Sequence, residues 1–307
     1  MKKILIATEK PFAKSAVDGI SKIVTDAGYE IVLLENYTEK AQLLKAVEHV
    51  NAIIIRSDKI DKEVIDAASK LEVAVRAGAG YDNVDLEAAT AKNVVVMNTP
   101  GQNSNAVGEL AIGLMLYAAR NFFNGSSGTE LRGKTLGLYA LGNTAKYLSK
   151  AAQGLGMEVY AYAPTKDDRY LQAENVKRAN SPEELFEKCR YVSLHIPLKP
   201  ETKEIITYEL LSLMPKNATL VNTARREVIN EDGLLKMFAA RKDFKYVSDI
   251  QPAKKEAIDN VCDNRMYCTP KKMGAQTAEA NINAGIAAAN QIVGLFKNGD
   301  RTFQVNK

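Results

Sequence analysis

Residues Gly133–Lys146 read GKTLGLYALGNTAK, and their reading decides the fold. An apolar strand pattern, TLGLYAL, runs straight into Gly142-Asn143-Thr144 and then into a stretch of helical period. Strand, tight turn and helix in that order form the setting in which a dinucleotide-binding loop places its glycine fingerprint. Aligned on the central glycine, the loop reads Ala140-Leu141-Gly142-Asn143-Thr144-Ala145, so Gly142 alone of the three glycines is kept. Gly142 lets the backbone approach a pyrophosphate, and the amides of Asn143 and Thr144 at the helix start are placed to donate to it. Alanine is tolerated at the third position, but at the first it strains the turn. Taken alone, the loop fits an ordinary strand-to-helix turn equally well.

Working outward, the same alternation recurs on both sides. KKILIAT, YEIVLLEN, NAIIIRS, LEVAVRAG and NVVVMNTP precede it, and MEVYAYAP, YVSLHIPL, ATLVNTAR and YVSDIQP follow, with helical stretches between. Val and Ile runs without polar alternation imply strands covered on both faces, as in a parallel sheet. The fold class expected is therefore α/β, with two doubly wound parallel-sheet domains. Ser181-Pro182-Glu183-Glu184 marks a helix start, with a capping serine, proline at the first helical position and a glutamate able to reach back. Two long helices rich in Ala and Gly, SNAVGELAIGLMLYAARNFF and QTAEANINAGIAAANQIVGLF, read as crossovers between the domains. The expected division is 1–99 plus 278–307 for a substrate-binding domain and 100–277 for an inserted dinucleotide-binding domain.

Composition excludes several function classes. The 307 residues are 46% hydrophobic and 25% charged, with 41 Lys plus Arg against 37 Asp plus Glu. No basic run stands out, so no nucleic-acid or membrane partner is expected, while the mild positive surplus suits a small anionic substrate. Cys189, Cys262 and Cys268 form no CxxC pair, which points to free thiols in a reducing compartment and to no zinc or other metal site. The N-terminal run ILIA is too short for a signal peptide, and a cytoplasmic protein is expected.

About twenty residues beyond the glycine loop, where an NAD-binding unit usually offers a carboxylate to the ribose, the strand EVYAYAP ends at Ala163. Lys166 nearby is a candidate for a 2′-phosphate, although Asp167 and Asp168 follow it and suggest a solvated turn.

RAGAGYDNVDLEAA, VVVMNTPGQNS, GTELRGKTLG, VSLHIPLKPET, LVNTARREVINEDGLL and YVSDI resemble, in order and spacing, the D-isomer-specific 2-hydroxyacid dehydrogenases. Within that family, TPKKMGAQTAEANINAGIAAANQIV with the ending FQVNK is similar to the lysine-type D-3-phosphoglycerate dehydrogenases without a regulatory domain. The resemblance implies a Rossmann NAD-binding domain inserted into a flavodoxin-like substrate domain. It also implies that serine, which would need a further domain beyond KNGDRTFQVNK, does not inhibit.

The implied roles follow residue by residue. Arg225 holds the substrate carboxylate and polarises the C2 oxygen, a task suited to the planar, permanently charged guanidinium. Asp249 faces the nicotinamide carboxamide, Ile196 and Pro197 line the adenine side, and Thr223, Ala224 and Gly274 belong to the cofactor side. Arg56, Ser57, Lys59 and Arg76 offer polar and positive groups to a phosphate, and the amides of Gly78 and Ala79 cradle a carboxylate. His195 is expected to be structural and His49 remote from the site. The carboxylate that usually partners a catalytic histidine is replaced by Lys254, and the spacing of Glu256 does not restore it.

The residues Thr269-Pro270-Lys271-Lys272-Met273-Gly274 stand where the family carries its histidine. Counting from Pro270 selects Lys271, and counting from Gly274 selects Lys272; the count from Pro270 is favoured. One of the two is expected to move the hydroxyl proton. The expected function is NAD-dependent oxidation of a small phosphorylated 2-hydroxy acid by a homodimer. Two rivals are an NADP-linked glyoxylate or hydroxypyruvate reductase, favoured by Ala163, and a non-catalytic NAD-binding regulator, favoured by the missing carboxylate and histidine. Arg225 with two site lysines argues against a dead site.

Overall fold

Twelve strands, all parallel to their neighbours, form two sheets in the computed structural model, which describes residues 1–306. The chain divides into two compact units, one of Met1–Asn103 with the segment from Ala275 onward, the other of Ser104–Gly274. These divisions lie close to the expected boundaries at 99 and 278, though not at them.

The first unit holds β1 (Lys3–Thr8), β2 (Glu30–Glu35), β3 (Ala52–Ile55), β4 (Val73–Arg76) and β5 (Val95–Asn98). Their order is β2-β1-β3-β4-β5, the flavodoxin-like arrangement. β3 and β5 are buried along their whole length, which is why Ile53-Ile54-Ile55 and Val95-Val96-Met97 show no polar alternation. β2, at the edge, carries partly exposed residues throughout. Helix Ala278–Asn298 packs its Ala284, Ala288, Ala289 and Ile292 against Ile4, Ile6, Ile54 and Val75 in one core layer. Its glycine serves close approach: a Cβ on Gly285 would stand 2.8 Å from the Ile20 Cδ1.

The second unit holds β6 (Thr135–Tyr139), β7 (Glu158–Tyr162), β8 (Lys177–Arg178), β9 (Tyr191–Leu194), β10 (Thr219–Asn222), β11 (Lys245–Ser248) and β12 (Met266–Cys268). The order β12-β11-β10-β9-β6-β7-β8 is the Rossmann order with one added edge strand. The strand order reverses between β6 and β9, which run parallel, so the loops after these two strands flank the crevice where such sheets bind ligands. The short outer strands β8 and β12 escape the sequence pattern because two or three residues carry no period.

Two local expectations need correction. Ser181 caps its helix by accepting from the Glu184 N–H at 3.1 Å, but the Glu184 carboxylate reaches the N–H of Asn180, one residue before the cap. The helix expected to run to Phe123 is Ser104–Ala119. After it, Asn121, Phe122 and Phe123 all take left-handed backbone angles. That turn costs roughly 1–2 kcal/mol per residue, and Lys245 offsets part of the cost. Its Nζ donates to the Ala118 carbonyl at 2.7 Å and to the Asn121 Oδ1 at 2.6 Å, which satisfies acceptors at the helix end.

Candidate active site

The loop after β6 is built as its sequence requires. Ala140, in the first fingerprint position, has φ of 79°, the left-handed region that glycine normally serves, and its N–H donates to the Tyr162 carbonyl at 2.9 Å. Gly142 is the N-cap of helix Asn143–Gly154, with an extended backbone (φ −93°) that any residue adopts. A Cβ at Gly142 would meet no atom within 4 Å, so neither backbone strain nor crowding by the protein demands glycine there. The exposed Gly142 and Asn143 border space open to a ligand. The first N–H groups of the helix have no intrahelical acceptors, and the glycine cap brings them no side chain. An anion such as a pyrophosphate fits this cradle. Ala145, fully buried, takes the third fingerprint position and closes the packing below.

Ala163, just past β7, is 3% exposed and belongs to the apolar core with Leu171 and Val176. Lys166 lays its Nζ over the Tyr170 ring at 4.6 Å from the centroid. Arg178 donates to the Lys166 carbonyl at 2.7 Å and pairs with Asp168. After β9, Ile196 is buried and Pro197 exposed. Between β9 and these residues, the Nε2 of His195 is buried without a partner, and burial pushes the imidazole down to about 4, so it stays neutral.

The ends of β10, β11 and β12 gather the remaining groups. Ser248 wires β11 to β10 by donating to the Asn222 carbonyl at 2.7 Å, and Asn222 accepts from the Ala224 N–H while donating to the Arg225 carbonyl, each at 2.9 Å. That network fixes the turn Thr223-Ala224-Arg225, and the Arg225 Nη1 folds back on the Ala224 carbonyl at 2.9 Å. Lys272 donates from Nζ to the same Ala224 carbonyl at 3.1 Å. Asp249 is fully buried; its Oδ2 accepts from the Gly274 N–H at 2.8 Å, while its Oδ1 has no partner. Burial raises the Asp249 carboxyl above its ordinary range, opposed by the Gly274 N–H and then by the Lys272 charge, with smaller help from Met273 and Arg225. Arg225, Asp249 and Lys272 thus form one electrostatic cluster within the Ser104–Gly274 unit.

Lys271 stands apart from that cluster. Its backbone carbonyl accepts from the Thr269 hydroxyl at 2.7 Å, while the next residue, the exposed Lys272, reaches the Ala224 carbonyl. The count from Gly274 therefore selects the lysine that the fold brings to Arg225, and the count from Pro270 selects its neighbour. Gly274 itself is required by close approach: a Cβ there would lie 2.9 Å from the Asp249 Oδ2. Its N–H is spent on Asp249 rather than directed at a cofactor. Lys254 pairs with Asp232, and Glu256 is exposed in the first turn of helix Lys255–Cys262.

In the first unit, Arg56 extends its guanidinium to the Pro11 carbonyl at 3.1 Å and over the Phe12 ring, 5.3 Å from its centroid. Burial lowers its pKa, partly offset by Asp58. Ser57 and Lys59 are exposed. Arg76 donates from Nε to the Arg56 carbonyl at 3.0 Å and covers Gly78 so closely that a Cβ there would fall 1.6 Å from its Nη1. Gly78 has φ of 151° and its N–H turns inward to the Arg76 carbonyl at 2.9 Å. That amide is not available to a carboxylate, which corrects the expected two-amide cradle. Ala79 is exposed, and its carbonyl accepts from Asn98 Nδ2 at 2.6 Å.

With this geometry in view, the likeness to known proteins is informative. Residues 113–270 match the family described as D-isomer specific 2-hydroxyacid dehydrogenase, NAD binding domain. The chain is 34% identical over 289 residues to a hydroxypyruvate reductase of Thermotoga maritima, covering 86% of this chain and 90% of that one. The chain belongs to the D-isomer-specific 2-hydroxyacid dehydrogenases. A D-3-phosphoglycerate dehydrogenase of Methanocaldococcus jannaschii is 35% identical over 312 residues, 95% of this chain, and the chain spans 57% of that relative's length. The crystal structure of cofactor (NAD+) bound 3-phosphoglycerate dehydrogenase from Entamoeba histolytica superposes with a TM-score of 0.93 at 45% identity, covering 100% of this chain and 99% of that one.

For a 2-hydroxyacid dehydrogenase of this family, the cofactor cradle passes two tests of fit. Space for a pyrophosphate is kept at Gly142, and two buried polar atoms, the Asp249 Oδ1 and the Thr223 Oγ1, lack partners within the protein. A buried oxygen without a partner is costly, and a bound amide or hydroxyl would relieve it. Sequence reasoning missed Asp58, which is 3% exposed and holds the Arg56–Lys59 turn. Its flanking residues drew attention because they are positive, whereas a single buried carboxylate has no signature in composition. Among the described residues no His, Cys, Asp or Glu group is placed to hold a metal ion, and no helix is long and apolar enough to cross a membrane.

Proposed function

We propose that the protein is an NAD-dependent D-3-phosphoglycerate dehydrogenase, oxidising the C2 hydroxyl of 3-phosphoglycerate to give 3-phosphooxypyruvate. The single observation that carries this reading is the cluster of Arg225, Asp249 and Lys272 on adjoining strand ends, in the same unit as the Gly142 cradle. Its support beyond geometry is the family membership and the full-length likeness to a 3-phosphoglycerate dehydrogenase solved with NAD+.

In this mechanism NAD, when bound, supplies the acceptor for the hydride leaving C2. Arg225 holds the substrate carboxylate with its fork and draws electron density from the C2 oxygen. Lys272, in its neutral form, takes the hydroxyl proton during oxidation and returns it during reduction. Asp249 interacts electrostatically with Lys272 and Arg225, and its unpaired Oδ1 would accept from the carboxamide of a bound NAD. Thr223, Ala224, Ile196, Pro197, Asn143 and Thr144 would line the rest of the cofactor surface. The same reading includes a cytoplasmic homodimer that takes a small-molecule substrate and no nucleic acid or membrane partner.

A second reading, an NADP-linked glyoxylate or hydroxypyruvate reductase, is favoured by the lack of a carboxylate at Ala163. Assay of 3-phosphoglycerate, hydroxypyruvate and glyoxylate with NAD(H) and NADP(H) decides between them. Turnover of 3-phosphoglycerate with NAD is expected to dominate, and reduction of glyoxylate or hydroxypyruvate with NADPH as the leading activity would overturn the first reading.

A further inference from the structure

Arg56, Ser57 and Lys59 lie at the switch in strand order of the first sheet, where β1 and β3 are neighbours and their following loops part. Asp58, in the middle of that segment, points the other way. Its Oδ1 accepts from the Glu9 N–H at 2.7 Å and from the Tyr37 hydroxyl at 2.9 Å, and its Oδ2 accepts from the Arg56 N–H at 3.1 Å. Glu9 follows β1, Tyr37 follows β2 and Arg56 follows β3. One side chain therefore ties together the ends of three adjacent strands. The backbone of the same turn is held as well, by Asn83 Nδ2 donating to the Asp58 carbonyl at 2.7 Å and by Arg76 Nε donating to the Arg56 carbonyl at 3.0 Å. Burial first, and the Asp58 charge second, raise the Tyr37 hydroxyl far above the ordinary phenol range, so it remains a donor.

We propose that Asp58 is a positioning residue for a phosphate subsite made by Arg56, Ser57 and Lys59, fixing the turn so that the two exposed side chains and the Arg56 guanidinium face one anion. The proposal rests on the function proposed above. A carboxylate beneath an anion subsite repels the anion, so its electrostatic effect alone would weaken binding. Its value is geometric. Inward-pointing Asp58 forces Ser57 and Lys59 outward, and three hydrogen bonds to a charged acceptor hold it in one rotamer. These two effects have opposite signs, which makes them separable by experiment.

The test compares Asp58→Asn and Tyr37→Phe with the wild type on two substrates that differ only by the phosphate, 3-phosphoglycerate and D-glycerate. In Asp58→Asn the amide group opposes the Arg56 N–H or loses the paired acceptors. The KM for 3-phosphoglycerate should rise about tenfold or more, the scale of hydrogen bonds to a charged group. The KM values for D-glycerate and NAD, and kcat, should stay within about twofold. Tyr37→Phe should shift the 3-phosphoglycerate KM in the same direction by a smaller factor. It decides the question if Asp58→Asn does not fold by thermal melting. An unchanged or lower KM for 3-phosphoglycerate, or an equal rise for D-glycerate, overturns the proposal. If the wild type turns over neither compound, the functional reading fails and the subsite is judged by calorimetric titration with inorganic phosphate. Tighter binding by the wild type than by the variant then supports it, and equal binding overturns it.

Discussion

Replacing Lys272 by alanine removes the one lysine of the Lys271-Lys272 pair that reaches the turn carrying Arg225. Its Nζ lies 3.1 Å from the Ala224 carbonyl and its charge lowers the Asp249 carboxyl against the effect of burial. Loss of the proton carrier should lower kcat by about 10² or more, at least about 2.7 kcal/mol in the transition state. Loss of the charge should also raise the Asp249 carboxyl further, because the largest influence on it, burial, is then opposed by less. Lys271→Ala keeps the backbone carbonyl that accepts from Thr269 at 2.7 Å, so the turn persists and kcat should change by no more than about threefold. The assay is steady-state oxidation of 3-phosphoglycerate from neutral to alkaline pH, with NADH binding followed by fluorescence. Wild-type oxidation should rise with pH, since only neutral lysine takes a proton, and Lys272→Ala should lose that rise while still binding NADH. Wild-type turnover by Lys272→Ala, or collapse in Lys271→Ala alone, refutes the assignment.

Three further outcomes are expected. Ala140→Gly relieves a left-handed alanine worth roughly 1–2 kcal/mol, less about 0.4–1 kcal/mol for glycine's freedom in the unfolded chain, so urea unfolding should show a gain of about 0.5–1 kcal/mol. Gly108→Ala should cost about 1–3 kcal/mol in the same measurement, because the new Cβ would lie 3.0 Å from the Tyr147 Cβ and 3.1 Å from the Leu148 nitrogen. Burial pushes the Cys189 and Cys268 thiols up to about 12, so at pH 8 the thiolate is scarce and iodoacetamide should leave both unmodified in the native protein by mass spectrometry.

The sequence by itself determined the layers of this protein. Ile53-Ile54-Ile55 and Val95-Val96-Met97 announced strands covered on both faces, because burial on two sides removes polar alternation, and they are buried throughout. The step from TLGLYAL into Gly142 announced the strand, turn and helix of the cofactor cradle for a similarly local reason. Local pattern also misled where the backbone departs from its propensity, as beyond Ala119, where Phe122 and Phe123 suggest that the helix goes on but Asn121, Phe122 and Phe123 are left-handed. Only the tertiary structure showed that Lys272 reaches the Ala224 carbonyl, since that acceptor lies 48 residues away. It alone showed that the amides of Gly78 and Gly274 are spent within the protein, on Arg76 and Asp249. It alone revealed Asp58 joining three strand ends. The physical reason is common to all of these. Periodicity records how each segment meets the core, one residue at a time, whereas a hydrogen bond between distant segments depends on strand order and loop direction, which exist only once the sheets have formed.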